Sequence, residues 1–178
     1  MDNIEALKGF LSEENIKRHF EYLRNLRLKL SIHEKSESSL LGKSISDVSR
    51  MPLMADHREE VLRLKWRIKA HECFFGSFSL SPRSSKLVNN HFCSRERFVY
   101  EIFLEAMKTE QGFLFVYLDK KRPRIVTEST GGGAFIKYEP ILAVDLYEHT
   151  YFSDYGFRKD RYIRNALMYL DTEKLNRI

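Results

Sequence analysis

An α+β fold is predicted, with an N-terminal antiparallel helical hairpin followed by a C-terminal three-stranded antiparallel sheet flanked by helices. Three observations on the 178-residue sequence carry this reading. Two long stretches, Ser12 to Leu30 and Asp56 to Phe75, repeat apolar residues at helical spacing. The run FLFVYL (Phe113 to Leu118) is followed by the turn Asp119–Pro123 and a shorter run, Arg124 to Thr127, which read as two strands. A third apolar run, Ile141 to Val144, reads as a buried strand.

Taken in order, Ser12 followed by Glu13 and Glu14 is a helix start: a capping hydroxyl, then acids in the first turn. Ile16, Phe20, Leu23 and Leu30 form the stripe of that helix, and His19 lies within it. Ser31 to Ser49 is polar and small and reads as a connection between helices. The second helix carries Val61, Leu64, Ile68, His71 and Phe75 on its apolar side, so a histidine again faces inward. Ser81-Pro82-Arg83-Ser84-Ser85 marks the clearest boundary, dividing residues 1–82 from 83–178, and the chain up to Ser94 reads as loop. Arg97 to Met107 is helical and Gly112 stops it. Thr130 and three glycines make a loop before the third strand.

Composition describes a globular chain: 43% hydrophobic and 31% charged, with no run long enough to cross a bilayer. The N-terminal residues resemble neither a secretory signal nor a typical mitochondrial leader, so none is expected, and Cys73 and Cys93 are too few for a disulfide framework. A reducing, cytoplasmic setting is the expectation. The net charge of +5 is compatible with a nucleic-acid surface or with attraction of a small anion. Basic and acidic residues alternate along the helices, as solvated faces do, so a nucleic-acid partner is not expected.

Asp145 closes the third strand and His149 follows four positions on. A carboxylate and an imidazole so placed offer the oxygen and nitrogen donors that first-row metals accept. An isolated pair of this kind is more often an ordinary surface or helix pair. Likewise, a histidine on an apolar stripe is more often a hydrogen-bonded core residue than a ligand. Two inward imidazoles, one from each helix of a hairpin, are however a known way to build half of a metal site.

The same residues carry a resemblance. DLYEHTYFSDY followed by GFRKDRYI is similar to the C-terminal signature of the iron/manganese superoxide dismutases, D-x-W-E-H-A-Y with an Arg and then Y-I further on. Asp145, Glu148, His149, Tyr151, Tyr155 and Tyr162 fall on matching positions. In the first half, LSEENIKRH resembles I-S-x-E-T-x-x-x-H, and AHECFFGSFSLSP resembles N-H-T-F-Y-W-x-S-L-S-P. The similarity reaches from Ala6 to Glu173, weakest over Lys35 to Asp56 and around Asn90.

The resemblance implies the fold above and a metal set of His19, His71, Asp145 and His149, with a water in the remaining position. It implies one manganese or iron ion per subunit, superoxide as substrate, an antioxidant role and a homodimer. Glu148 is implied to cross the dimer interface to a metal-bound histidine, and Tyr162 to bond across the same interface. Several positions depart from the family pattern. Tyr147 stands for Trp, Phe113 and Phe115 line the pocket where Trp is expected, and Lys159 stands for Arg. The Gln beside the metal-bound water falls on Arg67 or Gly131, the gateway Tyr on Arg27 with Tyr22 reachable through a gap, and a helix His on Leu23. Arg27 or Arg67, facing the funnel, would attract the anion.

The expected activity is conversion of superoxide to dioxygen and hydrogen peroxide by redox cycling of one ion. The rival expectation is a superoxide-dismutase-like structural subunit of the mitochondrial-ribosome kind, contacting protein and RNA; metal binding without catalysis lies between. A zinc site could use the same ligands without redox chemistry, and a two-histidine, one-carboxylate oxygenase would leave one ligand idle. His33, His57 and His91 match no ligand pattern, and Cys73 reads as packing.

Overall fold

The hydroxyl of Ser12 accepts the Asn15 N–H at 3.2 Å, with Glu13 and Glu14 behind it, so α2 (Glu13–Ser36) begins where the capping pattern predicts. The computed structural model describes residues 2–129 and 138–176. A short α1 (Asp2–Lys8) precedes α2 and buries Ala6 and Leu7. The second long helix is α4 (Ala55–Gly76). Ion pairs join Arg27, earlier on α2, to Glu72, late on α4, and His33 and Glu34, near the end of α2, to Glu60 and Lys65, earlier on α4, so the hairpin is antiparallel. Leu23, Leu26, Leu64 and Ile68 form its seam.

Two stretches expected as loop are partly helical. α2 runs past Leu30 to Ser36, and α3 (Ile45–Arg50) follows. The reciprocal capping box of Ser44 and Asp47 starts α3, and Leu40 and Val48 pack with Val61 of α4. The polar composition between Ser31 and Ser49 hid these few buried anchors. Beyond the Pro82 boundary, α5 (Lys86–Phe92) begins where Ser85 accepts the N–H groups of Leu87 and Val88. α6 (Arg95–Lys108) follows, capped by Ser94.

The sheet has the order β2-β1-β3, all antiparallel. β1 (Phe113–Asp119) is central and its first five residues are buried. Lys120 and Lys121, at φ 47° and 65°, make the two-residue turn into β2 (Arg122–Glu128). Pro123 is tolerated inside β2 because that strand is an edge. β3 (Leu142–Asp145) is wholly buried. α7 (Glu148–Tyr155) and α8 (Lys159–Met168) complete the layer, ending in a 3₁₀ turn, Thr172–Asn176. The loop expected at Thr130 and the glycines after it lies outside the described residues. Among the described residues no helix is long and apolar enough to cross a membrane.

One hydrophobic cluster joins Leu7 and Phe10, Trp66 and Phe74 of α4, the inner residues of β1 and β3, and Leu170 and Leu175. Ser77, just past α4 and fully buried, ties the helical and sheet halves. Its Oγ donates to the Cys73 carbonyl and accepts the Ala143 N–H of β3, both at 2.7 Å, while its carbonyl accepts from Asp171. Ser77→Ala strands that buried N–H, at a cost of about 1–3 kcal/mol. Urea titration is expected to show the lower midpoint at unchanged slope.

Candidate metal centre

Asp145 ends β3 opposite Phe113 of β1 and is fully buried. Its Oδ1 accepts the Tyr147 N–H at 3.0 Å, and its main-chain carbonyl accepts the Tyr162 hydroxyl at 2.8 Å. The next residue, Leu146, donates to the Gly112 carbonyl at 2.8 Å. Gly112 sits at φ +135°, where a side chain would be strained and would press on the Glu128 backbone. The carboxylate is thus held from both directions, with Oδ2 left to face the helices.

Three imidazoles meet that oxygen. The Nε2 atoms of His19, His71 and His149 lie 3.7, 3.8 and 3.9 Å from Asp145 Oδ2. The ligand atoms of His19, Asp145 and His149 all fall within 4.8 Å of one another, and His71 approaches the same oxygen as a fourth. His19 and His71 are 2% exposed, whereas the His149 side chain is 51% exposed, so the cluster is closed on the helical side and open beside His149.

The partners of the far ring nitrogens assign the tautomers. His19 Nδ1 meets the Asn15 carbonyl at 3.0 Å, and His71 Nδ1 meets the Arg67 carbonyl at 2.7 Å. A carbonyl only accepts, so each Nδ1 carries a proton, and in the neutral imidazole each Nε2 presents a lone pair to Asp145. His19 Nε2 also lies 3.1 Å from the Thr150 hydroxyl. Asn15, one turn before His19, donates to the Thr150 carbonyl at 2.6 Å and to Asp154 at 3.0 Å, locking α2 onto α7.

Burial pushes the Asp145 carboxyl up, but the surrounding imidazoles, His19 foremost, outweigh it and hold the acid below the usual range. Burial likewise lowers His71 and His149, which favours the neutral imidazole that ligation needs. His19 is also pressed down by burial, yet its contact with Asp145 prevails and raises it. His71 Nε2 and Asp145 Oδ2 are buried with no hydrogen-bond partner. An ionised oxygen and a lone pair facing each other without a donor are costly, and a cation between them removes that cost. The donor set of three imidazoles and one carboxylate suits a first-row ion.

The other residues singled out in the sequence divide. Phe113 packs edge-on to His71, ring centroids 5.2 Å apart, and Phe115 stacks on Phe113 at 5.5 Å. Trp66 of α4 stands edge-on to both. Tyr147 stacks on His149 at 5.5 Å, and its hydroxyl donates to the Ser129 carbonyl. Glu148 is exposed on the first turn of α7. Tyr162 is fully enclosed by its own chain, stacked on Tyr151, so its hydroxyl steadies Asp145 from behind instead of crossing an interface. Arg27 turns to Glu72 at 2.7 Å and does not face the cluster, because it lies two helical turns beyond His19 and next to an acid of α4. Leu23 is buried in the hairpin seam. Gly131 lies outside the described residues. Cys73 is packed near Pro140, and burial pushes its thiol up to about 12. His33 and His57 meet edge to face at 5.0 Å near the other end of the hairpin, away from the cluster.

Two contributors, Asn15 and Thr150, were not singled out as partners of the site, and Tyr22 was reached only through a gap in the family match. Tyr22 stands 5.2 Å from the His71 ring and 5.9 Å from His149. It borders the open cleft with Arg18, His19, His149, Phe152 and Ser153. Its place three residues after His19, on the same helix face, was the available signal.

A buried His/Asp cluster between a helical hairpin and a helix-flanked antiparallel sheet defines a metal-binding α+β protein. Residues 81–177, more than half of the chain, match the family model for iron/manganese superoxide dismutases, C-terminal domain, and the chain belongs to that family. A comparison with curated proteins finds no match.

Asp145→Ala or His71→Ala is expected to abolish the rise in melting temperature that added manganese or iron gives the metal-free protein, with helical content largely kept. A full metal-induced rise in either variant would exclude that residue as a ligand.

Proposed function

We propose that the protein is an antioxidant superoxide dismutase that converts superoxide to dioxygen and hydrogen peroxide, with one iron or manganese ion held by His19, His71, Asp145 and His149. The observation that carries this reading is the convergence of three imidazole nitrogens, at 3.7 to 3.9 Å, on one buried carboxylate oxygen that has no other partner. The bound ion supplies the one-electron couple that these side chains lack. Asp145 contributes one negative charge, so a divalent ion keeps about one net positive charge at the site, which leaves both oxidation states accessible. The Asn15 and Arg67 carbonyls hold the His19 and His71 rings in the tautomer that aims Nε2 inward. Phe113 and Phe74 border the cluster with apolar edges, and Tyr147 covers one face of His149. The Tyr22 hydroxyl carries a transferable proton beside the open side, where protons must accompany the electrons.

On this reading residues 1–82 form the helical hairpin domain and 83–178 the sheet-bearing domain. The protein works as a homodimer in which Glu148, exposed beside His149, reaches the partner's site. Both cysteines are free, which suits the cytoplasm.

A second reading, a structural or weakly active relative, is favoured by one observation. The sequence has a single Gln, Gln111, and the two positions expected to hold one beside the cluster have Arg67 and Gly131. Metal analysis of purified protein followed by a superoxide-consumption assay separates the two. About one iron or manganese per chain with consumption is the expected result, and His149→Ala should remove the activity. Metal without consumption leaves a metal-binding protein, and no metal with RNA or ribosome association supports the structural subunit.

A further inference from the structure

The far end of the helical hairpin carries a second group of metal-type donors that the His/Asp cluster does not use. His33 lies in the last turn of α2, and His57 and Glu60 lie one turn apart near the start of α4. Their positions in the sequence match no ligand pattern; the antiparallel packing of the two helices brings them together. The His33 and His57 rings stand edge to face, centroids 5.0 Å apart, and His33 Nε2 lies 3.8 Å from Glu60 Oε1. That separation is too long for a hydrogen bond. It matches the His/Asp cluster, where the imidazoles stand 3.7 to 3.9 Å from Asp145. His57 Nε2 is buried with no hydrogen-bond partner. Along α2, His33 stands about 21 Å from His19 at the helical rise, so the two groups cannot share an ion.

A buried imidazole nitrogen without a partner is costly. A second imidazole and a carboxylate beside it supply the donors with which a divalent ion removes that cost. The nearby charges suit a cation. Glu60 lines an open cleft with Asp56 and Glu59, where the three acids outnumber the two arginines, Arg63 and Arg67. The carbonyl end of α2 adds negative potential at His33. Neighbouring basic side chains are engaged elsewhere, Lys65 with Glu34 at 3.2 Å and Arg58 with the Met51 carbonyl at 3.3 Å. We propose that His33, His57 and Glu60 form a second site, for a zinc-like divalent cation, that clips the end of α2 to the start of α4. It is more open than the first, since among the described residues only His19, Asp145 and His149 have ligand atoms all within 4.8 Å of one another. The Glu60 side chain, 47% exposed, has room to swing inward. Two imidazoles and one carboxylate leave a fourth position to water. The site does not rest on the superoxide reading, because zinc brings no redox chemistry to it.

The test is a zinc titration of the full-length protein in slightly alkaline buffer, above the ordinary imidazole range. Long-range proton–nitrogen NMR reads the histidine ring nitrogens in wild type, His33→Gln, His57→Gln and Glu60→Gln. The expected result is a saturable shift of one ring nitrogen on His33 and one on His57, moving together. Each substitution should weaken that binding at least about tenfold. Resonances of His19, His71 and His149 report the first cluster separately, so the two sites can fail independently. His91, exposed and outside both groups, is the control for adventitious zinc. Unmoved His33 and His57 resonances, equal affinity in wild type and all three variants, or binding no tighter than at His91 overturns the proposal. Circular dichroism confirms that each variant is folded, and the wild-type comparison with His91 decides the matter where one is not.

Discussion

A carboxylate oxygen with no donor, enclosed on every side, is the constraint around which this protein is built. Asp145 Oδ2 is buried, ionised and surrounded by three imidazole nitrogens, two of which present lone pairs when their rings are neutral. In a low-dielectric interior such a group costs several kcal/mol unless a cation completes it. The arrangement persists because neighbouring atoms leave it little freedom. Tyr147, Tyr162 and Gly112 hold the segment carrying the carboxylate, and the Asn15 and Arg67 carbonyls hold the two buried rings.

Much of the remaining architecture can be understood as bringing three separate chain segments to that oxygen. α2 and α4 each contribute one imidazole, and their antiparallel seam of leucines and isoleucine sets how far apart those rings stand. β3 contributes the acid and α7 the third imidazole. The two halves are tied by hydrogen bonds of long sequence separation: Ser77 to Ala143, and Asn15 to Thr150 and Asp154. These ties involve buried or half-buried polar groups, so their partners are obligatory and the register between halves is well specified. Opening to solvent is confined to the His149 side, which Tyr22 borders.

The positions around the cluster are less uniform than the cluster itself. A tryptophan from α4, Trp66, stands edge-on to Phe113 and Phe115, so aromatic bulk near the site is drawn from a helix as well as from the sheet. Arg67, one of two positions at which a neutral amide was expected, carries a guanidinium and turns it toward the Tyr22 hydroxyl. Tyr162 supports Asp145 from within its own chain, while Glu148 stands exposed on the first turn of α7.

Periodicity and capping chemistry were enough to read the long helices and the strands. Ser12 with two following acids, the inward stripes carrying His19 and His71, and the run ending at Asp145 are local signals, and each acts within a few residues of itself. The motif resemblance likewise brought together all four cluster residues, because their spacing is written along the chain. The connectors around α3 and α5 were missed, since a few buried apolar residues among many polar ones become meaningful only once a partner surface exists. Which arginine is ion-paired was also beyond reach. Arg27 pairs with Glu72, a residue 45 positions away, whereas Arg67 has no carboxylate within ion-pair distance among the described residues, and pairing at that distance is decided by how two helices pack. Sequence alone determined which residue types lie on the inward faces of the helices and at the end of the strand; the tertiary structure decided how they are held together, which side is open and which charges pair, because those depend on contacts between segments far apart in the chain.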